Sequence, residues 1–349
     1  MSSLAIVIPA YKSMFFSQAL LSIANQTNKN FTLYIGDDCS PANLYSIVEK
    51  YENRIPIVYK RFDENLGGKD LVAQWERCID LIKDEEWIWL FSDDDTMDPT
   101  CVENFYRTLN QYPDFDLFHF NVMQIDEYHN IITNYYVFPE ILTSEEFLLR
   151  KLLGGDISIV VEYIFRKSHF YEQRRFQNFD LAWGSDDATW IKLGKKNGIR
   201  NIENAKVYWR KSLYNISFND RDNDILERKY YAQIEFFKWI NKQAKQNNIQ
   251  IEAVTLKQKI KTSFFRSIKS KIEFLSFGML TKILSEFYLT LGKQKCPQHI
   301  ILFIFFYKIY RLPIEVLKKC FFGIISNHKS QKLKVLFILY CIVSKSDLD

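Results

Sequence analysis

Two clusters of carboxylates stand out as chemistry rather than as solubilising charge. The first ends an apolar run, Trp87-Ile88-Trp89-Leu90-Phe91-Ser92-Asp93-Asp94-Asp95. Asp93 and Asp95 are alternate residues leaving a strand end, where one can bind a divalent cation while its neighbour fixes a ribose or a metal-bound water. Mn²⁺ and Mg²⁺ prefer hard oxygen ligands, and magnesium typically takes one or two carboxylates plus substrate phosphates. The second cluster, Trp183-Gly184-Ser185-Asp186-Asp187-Ala188-Thr189-Trp190, opens a helical run. Asp186 or Asp187 can act as general base if its surroundings shield it and aim it at a substrate hydroxyl. Each cluster also has a plainer explanation. Asp98 and Pro99 follow the first, so it can be an exposed acidic turn before a helix. In the second, Ser or Asp ahead of a helical run supplies acceptors to free amides.

The elements that must position these groups follow a βα rhythm. Residues 3–10 (SLAIVIPA), 31–38 (FTLYIGDD), 55–62 (IPIVYKRF) and 87–91 (WIWLF) read as short buried strands. Helical spacing separates them over 14–25, 43–52 and 70–83. Such alternation predicts a mostly parallel sheet covered on both faces, with ligands beyond the carboxyl ends of its strands. Three successive strand ends carry Pro9 and Tyr11, then Asp37 and Asp38, then Asp93 to Asp95. Further on, 116–125 and 160–166 look strand-like and 186–197 helical.

Taken together, AIVIPAYKS, YIGDDCSPAN, ENLGGK, FSDDD and GSDDATWIKLGKKNG resemble the family 2 glycosyltransferases in kind, order and spacing, over roughly residues 3–215. The resemblance implies a GT-A fold, a nucleotide-binding α/β sandwich, and sugar transfer with inversion. It implies that Pro9 and Tyr11 border the nucleotide and that Asp37 or Asp38 binds the base. Asp93 and Asp95 correspond to the DxD pair that holds ribose and metal-diphosphate, with Asp94 beside the nucleotide. Aligning Trp190-Ile191-Lys192-Leu193 with the family's ED-x-D-x-W-L-R-L run puts Asp186 on the catalytic aspartate and Ser185 on the usual glutamate; a one-residue shift leaves Asp187 as the alternative. The chain departs from the family pattern twice. After the NLGG motif it reads Lys69-Asp70-Leu71-Val72, leaving Lys69 as the donor contact there. In VYWRKSLYNIS, where the family often has a histidine near the diphosphate, Arg210 or Lys211 supplies the charge.

Composition is globular: 349 residues, 47% hydrophobic and 25% charged. Six scattered cysteines show no zinc spacing and read as reduced thiols, and no signal peptide opens the chain, which together predict the cytoplasm. The net charge of +4 hides a split: residues 251–349 hold 17 Lys and Arg against 6 Asp and Glu. Lysine alternating with Phe, Ile, Leu and Tyr there suits the surface of an anionic membrane. The longest uncharged apolar stretch, Ile300 to Tyr307, is far short of the roughly 20 residues a span requires. Nucleic acid has no supporting motif.

The expectation is a GT-A domain over 1–220 and a helical, basic and aromatic region over 221–349. Its activity would be an inverting transfer from a nucleotide-sugar, UDP-hexose by the family's commonest usage, to a glycan or lipid-linked saccharide. Mn²⁺ or Mg²⁺ would assist, in capsule, O-antigen or lipopolysaccharide assembly on the inner face of the plasma membrane. One rival is a haloacid dehalogenase-like phosphatase, but the fifth position from Asp93 is Met97 and three βα elements precede it. Another is a non-catalytic carbohydrate- or partner-binding protein on the same fold. An EF-hand loop fails because its sixth position is Asp98 rather than glycine.

Overall fold

A computed structural model describes residues 3–134, 137–154, 158–212 and 215–292. One compact unit ends at Arg266 and a second begins at Ser267; both carboxylate clusters lie in the first.

The opening half alternates as its periodicity requires. β1 (Leu4–Ala10), α1 (Phe16–Ala24), β2 (Phe31–Asp37), α2 (Tyr45–Val48), β3 (Ile57–Arg61), α3 (Leu71–Ile79) and β4 (Trp87–Leu90) follow in order. α1 buries Phe16, Ala19, Leu20, Ile23 and Ala24, the three- and four-residue spacing of a single helical face. α3 starts where the Asp70 carboxylate accepts the Ala73 N–H at 3.0 Å. It ends at Ile79, sooner than its apolar spacing predicts.

Then come β5 (Thr96–Met97), α4 (Cys101–Gln111), β6 (Leu117–Ile125), β7 (Ile131–Asn134), β8 (Ile141–Leu142), α5 (Ser144–Leu153), β9 (Tyr163–Arg166), α6 (Lys167–Glu172), α7 (Ser185–Leu193) and β10 (Ile199–Arg210). Helices α8 (Asn223–Lys245), α9 (Ala253–Lys271) and α10 (Phe277–Thr290) complete the described chain.

The strands form one sheet in the order β3-β2-β1-β4-β9-β6-β10-β5, with β7 on β6 and β8 on β10. Pairing is parallel through β3, β2, β1 and β4, and again between β6 and β10. β9 runs antiparallel to both of its neighbours, β4 and β6. The inner strands β1, β2 and β4 of the first parallel block are covered on both faces and read as apolar runs, and all four residues of β4 are fully buried. Trp87 packs edge-on against Phe105 and Phe118, and Trp89 stacks on Phe120 with centroids 5.0 Å apart. Burying such rings contributes about 1.5–3 kcal/mol each, and it anchors the strand whose end carries the acidic loop.

Among the described residues, no helix is long and apolar enough to cross a membrane. The stretch Ile300 to Tyr307 lies outside the described residues, as does most of the lysine-rich region.

Candidate active site

Sheet register brings the three strand ends together. β1 lies between β2 and β4, with Ala10 opposite Asp37 and Val7 opposite Leu90. Asp93, three residues past Leu90, therefore comes level with the end of β1. There its Oδ2 accepts the backbone N–H of Tyr11 at 2.8 Å and of Lys12 at 2.7 Å. Asp95 is placed from the other side. β5 pairs with β10, and the Arg210 N–H donates to Asp95 Oδ1 at 2.7 Å while Ser92 Oγ donates to Oδ2 at 2.6 Å. Asp93, Asp94 and Asp95 are only 3–4% exposed, which excludes the solvated acidic turn. Nor do they cap α4, since Asp98 turns away to accept from Tyr208 Oη at 2.7 Å and the Lys206 N–H at 2.9 Å.

Three buried carboxylates with one nearby ammonium make an electrostatically expensive loop. Burial pushes the Asp95 carboxyl up to about 8, reinforced by Asp94. Burial also raises Asp93 to about 6, with Lys12 pulling the other way. Three carboxylates that present hard oxygens, with Lys12 in front and the buried Arg210 guanidinium behind them, fit a divalent cation. Among the described residues, however, no group of three or more His, Cys, Asp or Glu is arranged as a metal cage. The side chains therefore fit as one or two ligands, the remainder coming from phosphate oxygens.

The two aspartates at the end of β2 have different surroundings. Asp37 is fully buried and turned into the sheet, accepting from Tyr59 Oη, from Arg61 Nη1 at 2.8 Å and from the Ser40 N–H at 2.8 Å. Asp38 faces the cleft. Its carboxylate gathers the Leu66 N–H at 2.7 Å, the Gly67 N–H at 2.8 Å and Asn65 Nδ2 at 2.9 Å, with Arg77 also donating. Asp38 thus holds the NLGG loop against the strand ends. A Cβ on Gly67 would lie 2.7 Å from Asp38 Oδ2, so only glycine lets this backbone approach. Gly67→Ala is expected to lower stability by about 1–2 kcal/mol, read as a shifted urea midpoint at constant slope.

Two of the expected donor contacts lie outside the cleft lining. The Lys69 side chain is 72% exposed and sits 3.4 Å from Glu64, outside the cleft lining. Its position before α3 points it to solvent. Arg210 is fully buried and likewise absent from the lining. Its guanidinium is consumed by Asp94 O and Asp126 O at 2.8 Å, Glu127 O at 3.3 Å and Gln18 Oε1 at 2.8 Å. It braces the acidic loop from behind.

The second carboxylate cluster opens α7. Gly184, at φ 84°, precedes the helix, and Leu181 and Ala182 also have positive φ, 56° and 54°. Non-glycine residues in that region cost about 1–3 kcal/mol and persist where surroundings over-determine them. Here the Phe179 N–H bonds to Ser185 Oγ at 2.9 Å, and Arg228 grips Asp180 with two bonds of 2.8 and 2.7 Å. The strained turn sets Trp183, Asp186 and Asp187 on the cleft wall. Ser185 is buried in this bracing and does not face the cleft.

The two aspartates are then distinguished by their partners. Asp187 Oδ2 forms an ion pair with Lys151 of α5 at 3.1 Å, while its Oδ1 is buried with no protein partner. Asp186 Oδ1 accepts the Asp187 N–H at 2.9 Å, and no lysine or arginine among the described residues forms an ion pair with it. Burial, then the charge of Asp187, pushes the Asp186 carboxyl up to about 8, with Lys151 working against them.

One cleft of about 930 Å³ joins these groups. Pro9, Tyr11, Asp38, Asn65 and Gly67 line one part, and Asp93 to Asp95 another. Lys151, Trp183, Asp186, Asp187, Phe236 and Phe237 line the rest. Lys12, Lys151 and the α8 aromatics are members that sequence reading missed; of these only Lys12, adjacent to Tyr11, lay inside a motif.

Fold and site together define a glycosyltransferase architecture of the GT-A type. Residues 5–170 match the model of glycosyl transferase family 2. A stretch of 162 residues, 46% of the chain, is 25% identical to an uncharacterized glycosyltransferase of Haemophilus influenzae. The match spans 52% of that relative, about half its length. Among solved structures, TarS of S. aureus in complex with UDP-GlcNAc aligns with a TM-score of 0.58 and 14% identity, covering 87% of this chain and 86% of that one. A longer TarS structure gives 0.59 at 14% identity, covering 87% and 52% respectively. At such identity the likeness establishes the fold.

Proposed function

We propose that this chain is an inverting glycosyltransferase that moves a sugar from a UDP-sugar to a glycan or lipid-linked saccharide in surface polysaccharide assembly. The observation that carries the reading is the single cleft that holds Tyr11, Asp38, the Asp93–Asp95 loop and Asp186 together. The UDP-GlcNAc and UDP complexes of the structurally similar TarS support a uridine donor. The half-exposed Tyr11 ring and Asp38 would hold the nucleoside, and the Asp93–Asp95 loop the ribose and diphosphate. Asp93 and Asp95, with Asp94 beside them, would hold Mn²⁺ or Mg²⁺, which when bound would neutralise charge on the departing diphosphate. Asp93 Oδ2 accepts the Tyr11 and Lys12 amides and shapes the loop, while its Oδ1 is left as a further oxygen for the ion.

Transfer then proceeds by direct displacement. Asp186 takes the proton of the acceptor hydroxyl, the hydroxyl oxygen bonds to the anomeric carbon, and the bond from that carbon to the diphosphate breaks. No covalent enzyme intermediate is needed. Trp183, Phe236 and Phe237 on the Asp186 side of the cleft suit the apolar faces of sugar rings. The lysine-rich region 251–349 suits an acceptor carried on an anionic membrane at the cytoplasmic face.

Calorimetric titration of UDP, GDP and CDP, with and without Mn²⁺, tests the reading. UDP is expected to bind most tightly, and Asp95→Ala to lose the Mn²⁺-dependent part of that affinity. Folded protein that binds none of the three nucleotides would return the chain to the non-catalytic alternative.

A further inference from the structure

The cation nearest the acidic loop belongs to the protein. Lys12 follows Tyr11 at the end of β1, and its ammonium is hydrogen-bonded to Asp94 Oδ2 while lying 3.5 Å from Asp93 Oδ1. The Lys12 side chain is 34% exposed, against 5% for Asp93 and 6% for Asp94, so it covers both carboxylates from the cleft side. Among the described residues, no other lysine or arginine forms an ion pair with Asp93, Asp94 or Asp95. Burial works against the charged lysine, yet the three carboxylates outweigh it and hold its pKa above the usual value. The backbone adds a constraint, because the same residue's N–H fixes Asp93 at 2.7 Å and the side chain cannot drift far from the loop.

An ammonium and a divalent ion seek the same oxygens here, and like charges crowded into a buried site repel strongly. We infer that Lys12 is a resident counter-cation of the acidic loop: it occupies Asp93 and Asp94 in the free protein and opposes divalent-ion binding there. It thereby makes metal and nucleoside diphosphate bind cooperatively. A diphosphate entering the cleft offers the ammonium anionic oxygens in exchange for Asp94, and the vacated carboxylate becomes available to a metal ion. By linkage, each ligand then strengthens the other to the same degree. The metal half of this inference rests on the loop geometry alone; the nucleotide half rests on the transferase reading.

The experiment is Mn²⁺ binding to the full chain, read from the electron paramagnetic resonance signal of free Mn²⁺, in wild type, Lys12→Met, Lys12→Gln and Lys12→Arg. Far-UV circular dichroism and melting curves confirm that each variant is folded. Without nucleotide, Lys12→Met and Lys12→Gln are expected to bind Mn²⁺ at least tenfold more tightly than wild type, and Lys12→Arg to match wild type. Adding UDP is expected to tighten Mn²⁺ binding at least tenfold in wild type and distinctly less in Lys12→Met. Neutral variants that bind Mn²⁺ no more tightly than wild type overturn the inference. If UDP does not bind at all, the transferase reading fails, while the Mn²⁺-only comparison still decides the role of Lys12.

Discussion

Asp186→Asn is expected to lower transfer by about 10²–10⁴-fold while leaving UDP affinity within a factor of two of wild type. The substitution is nearly isosteric. Its amide oxygen can still accept the Asp187 N–H that Asp186 Oδ1 accepts at 2.9 Å, so the first turn of α7 is undisturbed. What disappears is the carboxylate of this cluster that, among the described residues, has no ion-pair partner; the other is tied to Lys151. A variant as active as wild type would transfer the base role to Asp187, whose buried Oδ1 lacks a protein partner. The pH profile gives a second readout. A base must be ionised, and burial holds the Asp186 carboxyl up near about 8. The ionised fraction therefore falls as pH drops through that value, and kcat/KM is expected to rise with pH across the range 7–8. Lys151 opposes this shift, so exchanging it for an uncharged residue should displace the rising limb to higher pH. A flat profile between pH 6 and 9 would count against Asp186.

Much of the nucleotide side of this site was legible because its position follows from local pattern. β1, β2 and β4 are short apolar runs, and the residues that chemistry needs sit at or just past their carboxyl ends. Once the βα rhythm is read, parallel pairing makes Tyr11, Asp38 and Asp93 neighbours without knowledge of any side-chain contact. The rest was hidden because it depends on distant pairings. β9 reads as a strand in sequence, but nothing in YIFR says that it enters antiparallel between β4 and β6. The turn at Leu181 and Ala182 takes left-handed conformations without the glycine or asparagine that would announce them. Lys151 belongs to an ordinary amphipathic helix and acquires meaning only from Asp187, far along the chain. At position 210 the sequence showed a charge but not that it bonds backbone carbonyls, because charge in a sequence does not reveal what it faces.

Arg210→Met supplies the sharpest distinction between those two roles. A phosphate ligand could be removed with little effect on folding, since an unpaired cation at a cleft wall contributes little stability. The structure leads to the opposite expectation. The guanidinium ties three segments distant in sequence to the end of β10: the acidic loop through Asp94 O, the turn before β7 through Asp126 O and Glu127 O, and α1 through Gln18. It also lies 4.4 Å above the Phe15 ring centre. Methionine fills much of the volume but donates no hydrogen bond, leaving three carbonyls and an amide oxygen without their donor. Each orphaned buried acceptor costs about 1–3 kcal/mol, offset in part by no longer burying a charge. A net loss of about 3 kcal/mol is expected, seen as a lower urea midpoint for the Met1–Arg266 unit. Lysine should rescue only a fraction, because one ammonium cannot reproduce the planar fork that serves these acceptors at once. The loop would loosen as well, so Mn²⁺-dependent UDP binding should weaken in proportion to the lost stability. Unchanged stability with weakened UDP binding would instead mean that Arg210 leaves its carbonyls to meet the diphosphate.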